Sequence, residues 1–245
     1  MNRLVKIPLY VYCILGLFCM NAYASNECER LVKSENYEEA ISVCKEACNQ
    51  DNGISCRFLG QLYHLGYGEK QSYPKESSAY DYYKKACKLN DGFGCIGSGM
   101  LAYDNGEAKR YYEKACRLND NNGIGCRNLG LSYYNGEGVR RNYSTAKNYF
   151  EKACNLNDGT GCTLLGTLYH GGQGVRQDYS TAIKYYEKAC RMNDGLGCFG
   201  LGIVYQSGQG VRQNTIKAKE YFGKTCDLGE QKGCDEYRKL KEQGY

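Results

Sequence analysis

The residues best suited to chemistry in this chain are its cysteines. There are 16 in 245 residues, most in pairs with seven residues between them: Cys48/Cys56, Cys87/Cys95, Cys154/Cys162, Cys190/Cys198 and Cys226/Cys234, with Cys116/Cys126 longer by two. Thiols so placed can ligate a metal or oxidise to disulfides. Zinc sites draw on closely spaced C-x2-C clusters, which these pairs do not resemble, so no metal is expected. Residues eight apart in one straight helix lie about 12 Å apart, beyond the roughly 4.4 to 6.8 Å Cα separation of a disulfide, so the chain must reverse between them. Asn157-Asp158-Gly159 and Asn193-Asp194-Gly195 provide the turn residues. Each pair therefore reads as a bridge from the second helix of one unit to the first helix of the next. Closing a loop of about nine residues contributes about 2.5 kcal/mol in the chain-entropy treatment. Cysteine number alone allows many connectivities. Cys28 and Cys44 are left over and read as a bridge across an N-terminal hairpin, because Cys44 and Cys48 share one helical face.

Catalytic arrangements are harder to find. Beyond the first 24 residues the histidines are His64 and His170, each eight residues after a repeat cysteine. Three repeat steps at helix-packing distances of about 8 to 10 Å put them tens of ångströms apart, too far to share a zinc ion. Surface exposure is expected of both, with a binding role second. The pattern S-x-x-K occurs at Ser42 to Lys45, Ser72 to Lys75 and Ser144 to Lys147, without the S-D-N and K-T-G partners that serine β-lactam enzymes require. The catalytic residues thus remain unknown, and no cofactor is expected.

The elements that hold these residues begin after residue 24. Arg3 and Lys6 precede an apolar run from about Leu9 to Met20, and Ala22-Tyr23-Ala24 forms a small-x-small cleavage pattern. Residues 1–24 read as a signal peptide, since the run falls short of the roughly 20 residues of a membrane span. Fourteen cysteines then remain, an even number that favours seven disulfides in an exported chain, secreted or periplasmic. Removing Arg3 and Lys6 leaves 30 basic against 27 acidic residues, or +3, which gives no general attraction to nucleic acid.

From Cys126 onward the chain repeats every 36 residues, through Cys162, Cys198 and Cys234; the step is 39 from Cys56 to Cys95 and 31 from Cys95 to Cys126. Each copy reads as two helices. Cys162, Leu165, Gly166 and Tyr169 form the apolar stripe of the first, and Ala182, Tyr186, Ala189 and Cys190 that of the second, with Asp178 or Ser180 capping its start. Gly172-Gln173-Gly174-Val175-Arg176 joins them and recurs at Gly136 and Gly208. Gly60, Gly99, Gly130, Gly166 and Gly202 sit inside the first helices, where close helix approach can offset a cost of about 1 kcal/mol relative to alanine. The LGxxY first helix, the GxGV turn and the AxxYYEKAC second helix resemble Sel-like repeats, relatives of the tetratricopeptide repeat. With its cysteine pairs, residues 25–245 resemble the Helicobacter cysteine-rich (Hcp) protein family. That resemblance implies an all-α, right-handed α-solenoid of about six disulfide-stapled antiparallel helix pairs with a concave inner face and a C-terminal capping helix. It also implies β-lactam (penicillin) binding or weak β-lactamase activity.

Helical arrays present extended surfaces for recognition. Positions one, five and eight after the cysteine vary between copies: Arg57, Gln61 and His64; Arg127, Leu131 and Tyr134; Thr163, Thr167 and His170; Phe199, Ile203 and Gln206. These twelve form the candidate binding face, and a protein or peptide is the expected partner. Arg140, Arg176 and Arg212 recur in the turns and are expected to form a solvated rim.

Overall fold

A computed structural model describes residues 24–67, 75–118 and 123–245. The signal-peptide reading, apart from Ala24, and Ser72 lie outside these residues. The described chain is all helix and turn, arranged as antiparallel helix pairs in two compact units that divide between Ala102 and Tyr103.

In the first unit, α1 (residues 24–33) precedes α2 (Tyr37–Asn49), α3 (Gly53–His64), α4 (Lys75–Lys88) and α5 (Gly92–Met100). The second unit holds α6 (Asn105–Leu118), α7 (Ile124–Asn135), α8 (Tyr143–Asn155), α9 (Gly159–Gly171), α10 (Tyr179–Arg191), α11 (Gly195–Ser207), α12 (Thr215–Asp227) and α13 (Gln231–Glu242).

The reversals between a second helix and the next first helix are built from two adjacent side chains. Asp51, Asn90, Asn157 and Asn193 take φ between 60° and 66°, the left-handed conformation that short polar residues tolerate. The next residue caps the new helix: Asn52 accepts from the Ser55 N–H at 2.9 Å, Asp194 from the Gly197 N–H at 2.8 Å, and Asp91 and Asp158 cap likewise. Across these turns the cysteines meet. Cys48–Cys56, Cys87–Cys95, Cys116–Cys126, Cys154–Cys162, Cys190–Cys198 and Cys226–Cys234 are bonded with Cα atoms 4.4 to 4.6 Å apart, and Cys28–Cys44 closes α1 on α2 at 4.9 Å.

Small residues allow such close approach. A Cβ on Gly161 would lie 2.7 Å from the Ala153 Cβ, and Gly94, Gly125 and Gly197 face Ala86, Ala115 and Ala189 in the same way. Further along α9 and α11 an aromatic ring replaces the missing side chain: a Cβ on Gly166 would stand 2.8 Å from the Tyr186 ring, and one on Gly202 2.4 Å from Phe222. Within the second unit, Lys152, Lys188 and Lys224 donate at 3.0 to 3.2 Å to the carbonyls of Cys116, Cys154 and Cys190. Each lysine therefore adds a donor to a carbonyl at the C-terminal end of the preceding second helix, where positive charge is favoured.

Candidate functional site

The first position after each cysteine does more than vary. Arg57 Nε lies 3.2 Å from Asp91 Oδ2, and its guanidinium covers the Phe58 ring at 4.4 Å. Arg127 pairs with Asp158 at 3.2 Å. Thr163 is buried and donates to Asp194 Oδ1 at 2.7 Å, while Thr160 donates to the other carboxylate oxygen at 2.8 Å. Two arginines and a threonine thus act alike, each holding the aspartate that caps the first helix of the next repeat. Phe199 has no such aspartate ahead of it, because the cap of α13 is Glu230, and it packs on Phe222 instead. Burial holds the Asp158 carboxyl above the usual carboxylate range, against the opposing pull of Arg127 and the Gly161 N–H.

Positions five and eight keep more of their surface. In the second unit, Leu131 and Ile203 lean on the core beside Phe150 and Phe222, and Thr167 is exposed. Tyr134 donates its hydroxyl to Gln173 at 3.0 Å. Gln206 is half-buried. His170 is half-buried against Tyr179, with ring centroids 5.2 Å apart, and its buried Nδ1 has no partner among the described residues. Arg140, Arg176 and Arg212 are exposed and make no ion pair among the described residues.

In the first unit, Gln61 and His64 open onto a cleft of about 440 Å³, lined also by Val32, Tyr37, Leu62, Leu65, Tyr83 and Met100. Its rim is unusually apolar for an accessible surface. Leu65 is 67% and Met100 65% exposed, and neighbouring Tyr67, 47% exposed, lies with its ring centroid 4.0 Å from that of Tyr37. Burial pushes the Tyr83 phenol up to about 12, so it remains a neutral hydrogen-bonding group at physiological pH. Sequence comparison missed Met100 although its signal was present: counting five and eight from Cys95 gives Met100 and Tyr103. Val32, Tyr37 and Leu65 come from the end of α1, the start of α2 and the residue after α3, so comparing the varying positions that follow each cysteine does not group them with Gln61 and His64.

The serines of the S-x-x-K patterns have ordinary surroundings. Ser42 donates to the Glu39 carbonyl of its own helix at 2.8 Å; Ser144 lies in the first turn of α8, whose cap is Asn142, and Lys147 pairs with Glu151 at 3.6 Å. Among the described residues no group of three or more His, Cys, Asp or Glu side chains is placed to hold a metal ion.

The chain matches the Sel1 repeat at residues 53–91, 94–120, 123–158, 160–194 and 195–230. It is similar to the Sel1 repeat protein from Oxalobacter formigenes, with 22% identity and a TM-score of 0.75 over 86% of this chain and 84% of that one. It also shares 38% identity with Helicobacter pylori cysteine rich protein B over 54% of this chain and 98% of that one, with a TM-score of 0.45. A segment of 69 residues is 39% identical to the cytochrome c oxidase assembly factor 7 homolog of Drosophila melanogaster, covering 27% of this chain and 26% of the relative's length. With five matched copies over most of its length and helix pairs in the same register, the chain belongs to the Sel1 repeat family.

Proposed function

We propose that the protein is an exported binding module that holds a peptide or an exposed protein segment at positions five and eight of its first helices, chiefly in the cleft beside Gln61 and His64. The observation that carries this reading is the accessible apolar rim of Leu65 and Met100 around a concavity with few polar groups. Binding sites for flexible chains combine such anchors with a small number of polar groups that fix orientation, here Gln61, His64 and the Tyr83 phenol. The disulfides at successive turns hold this surface in shape, which lowers the ordering cost of binding. Export is supported by the short apolar leader and by disulfide chemistry that persists in oxidising compartments.

Selection of random displayed peptides on the oxidised protein tests the reading. Enriched peptides are expected to lose binding to Leu65→Asp and Met100→Asp, both exposed positions, and to retain it on Lys147→Ala in the second unit. Absence of enrichment, or enriched peptides indifferent to both cleft variants, would remove the assignment. Turnover of a chromogenic cephalosporin that survives repurification would give the chain an enzymatic role instead.

A further inference from the structure

The cleft of the first unit has an apolar lining, and two exposed carboxylates stand beside its lining residue Tyr37 in the chain; together they define a ligand. Val32 and Tyr37 line it; the turn between them carries Glu35, and Glu38 directly follows Tyr37. Both carboxylates are exposed, and neither forms an ion pair among the described residues, whereas nearby Glu29 is held by Lys33 at 2.8 Å and Glu39 by Asn36 at 2.6 Å. Glu35 is fixed in place by its backbone: its φ is +60°, and its carbonyl accepts from the Tyr37 N–H at 3.0 Å. It is also near enough to the Tyr37 hydroxyl to add to the upward shift that burial imposes on that phenol. Two uncompensated negative charges therefore flank Tyr37, while exposed Leu65 and Met100 offer only apolar surface.

An apolar side chain gains most by covering Leu65 and Met100, and a cation gains by reaching Glu35 and Glu38. We infer that the cleft takes an extended peptide in which an aliphatic or aromatic side chain is followed by lysine or arginine. This rests on the peptide-binding reading above and adds charge selectivity to it. The edge carboxylates are in water, so their contribution is modest for each contact and screened by salt. An acidic peptide with the same apolar anchor meets the same surface with repulsion.

Fluorescence polarisation on the full, oxidised chain tests the inference with three labelled, amidated peptides: Gly-Leu-Phe-Lys-Lys-Gly and its Gln-Gln and Glu-Glu counterparts. The Lys-Lys peptide is expected to bind roughly fivefold to tenfold tighter than the Gln-Gln peptide, as two exposed charge contacts allow, with the Glu-Glu peptide weakest. Glu35→Gln with Glu38→Gln should remove the discrimination while leaving the Gln-Gln peptide unchanged. Met100→Ser should weaken all three. Equal affinities on the wild-type chain would overturn the charge inference while leaving peptide binding in place. Failure of all three peptides to bind would overturn both. A dimer in sedimentation that Met100→Ser dissolves would put a second copy of the chain in the cleft and also defeat the inference.

Discussion

Ser55 stands where Gly94, Gly125, Gly161, Gly197 and Gly233 stand in the other copies, directly before a repeat cysteine. It is fully buried, and its hydroxyl has no hydrogen-bond partner among the described residues. A buried unsatisfied hydroxyl costs about 1 to 3 kcal/mol, so Ser55→Ala, which removes the oxygen and keeps the Cβ already accommodated there, is expected to stabilise the chain by about 1 kcal/mol. A rise in the urea midpoint with unchanged slope would show it; a fall would mean the hydroxyl has a partner. Asp158 makes a second residue-level prediction. Its carboxyl sits above the ordinary range because burial outweighs Arg127 and the Gly161 N–H. The fold therefore favours the protonated form relative to the unfolded chain. That contribution is fully present below the ordinary aspartate value and is lost as pH rises through the higher folded value. Relative to Asp158→Asn, which keeps a capping oxygen without the charge, the wild-type chain should gain stability on acidification from about pH 7 toward about pH 4. A difference between the two that is flat with pH would contradict this. The same residue shows what self-comparison misses. Thr163 differs from Arg57 and Arg127 in size and charge, and variation suggests freedom, yet all three bind the next repeat's capping aspartate. A carboxylate accepts from a guanidinium or a hydroxyl alike, so a recurring contact leaves a variable sequence.

At the level of the helix pair, the second helices, the turns and the apolar stripes were legible, because a period of 36 residues superimposes their caps, glycines and cysteines. The glycine positions show where legibility ended. Those four residues after the cysteine are visible as a helix-breaking residue in a helical pattern, and close approach explains them: Gly60, Gly130, Gly166 and Gly202 each face an aromatic ring. Those directly before the cysteine face a small side chain across the disulfide, an alanine for Gly94, Gly125, Gly161 and Gly197 and Thr225 for Gly233, but sequence alone could not separate them from the turn residues beside them. Gly166→Ala should destabilise by about 1 to 3 kcal/mol despite the better helix propensity of alanine, because the new Cβ would overlap Tyr186. Equal or higher thermal stability would mean the ring moves freely. Replacing Cys154 and Cys162 together by alanine should cost about 2 to 3 kcal/mol through the added freedom of the unfolded chain, measurable by equilibrium unfolding without reductant. An unchanged midpoint would assign the pairing energy to the helix packing around it.

Over the whole molecule, repetition builds a uniform scaffold, and the proposed binding site lies where copies depart from it. The departures in the first unit coincide: Leu65 and Met100 are exposed, Gln61 and His64 fall at positions five and eight, and Glu35 and Glu38 are uncompensated. Periodicity located Gln61 and His64 but did not join them to Val32, Tyr37 and Leu65, which come from the end of α1, the start of α2 and the residue after α3 and meet them only in the fold. The central claim is that ligands enter this cleft. Met100 lines it and Met192 lies in the second unit between Cys190 and Cys198, packed beside the Cys154–Cys162 cluster. Their methyl resonances report on the two places separately in one NMR titration with the Gly-Leu-Phe-Lys-Lys-Gly peptide. The account predicts a saturable shift of the Met100 methyl with Met192 unmoved; a Met192 shift without Met100, or saturation of binding with neither moving, would contradict it.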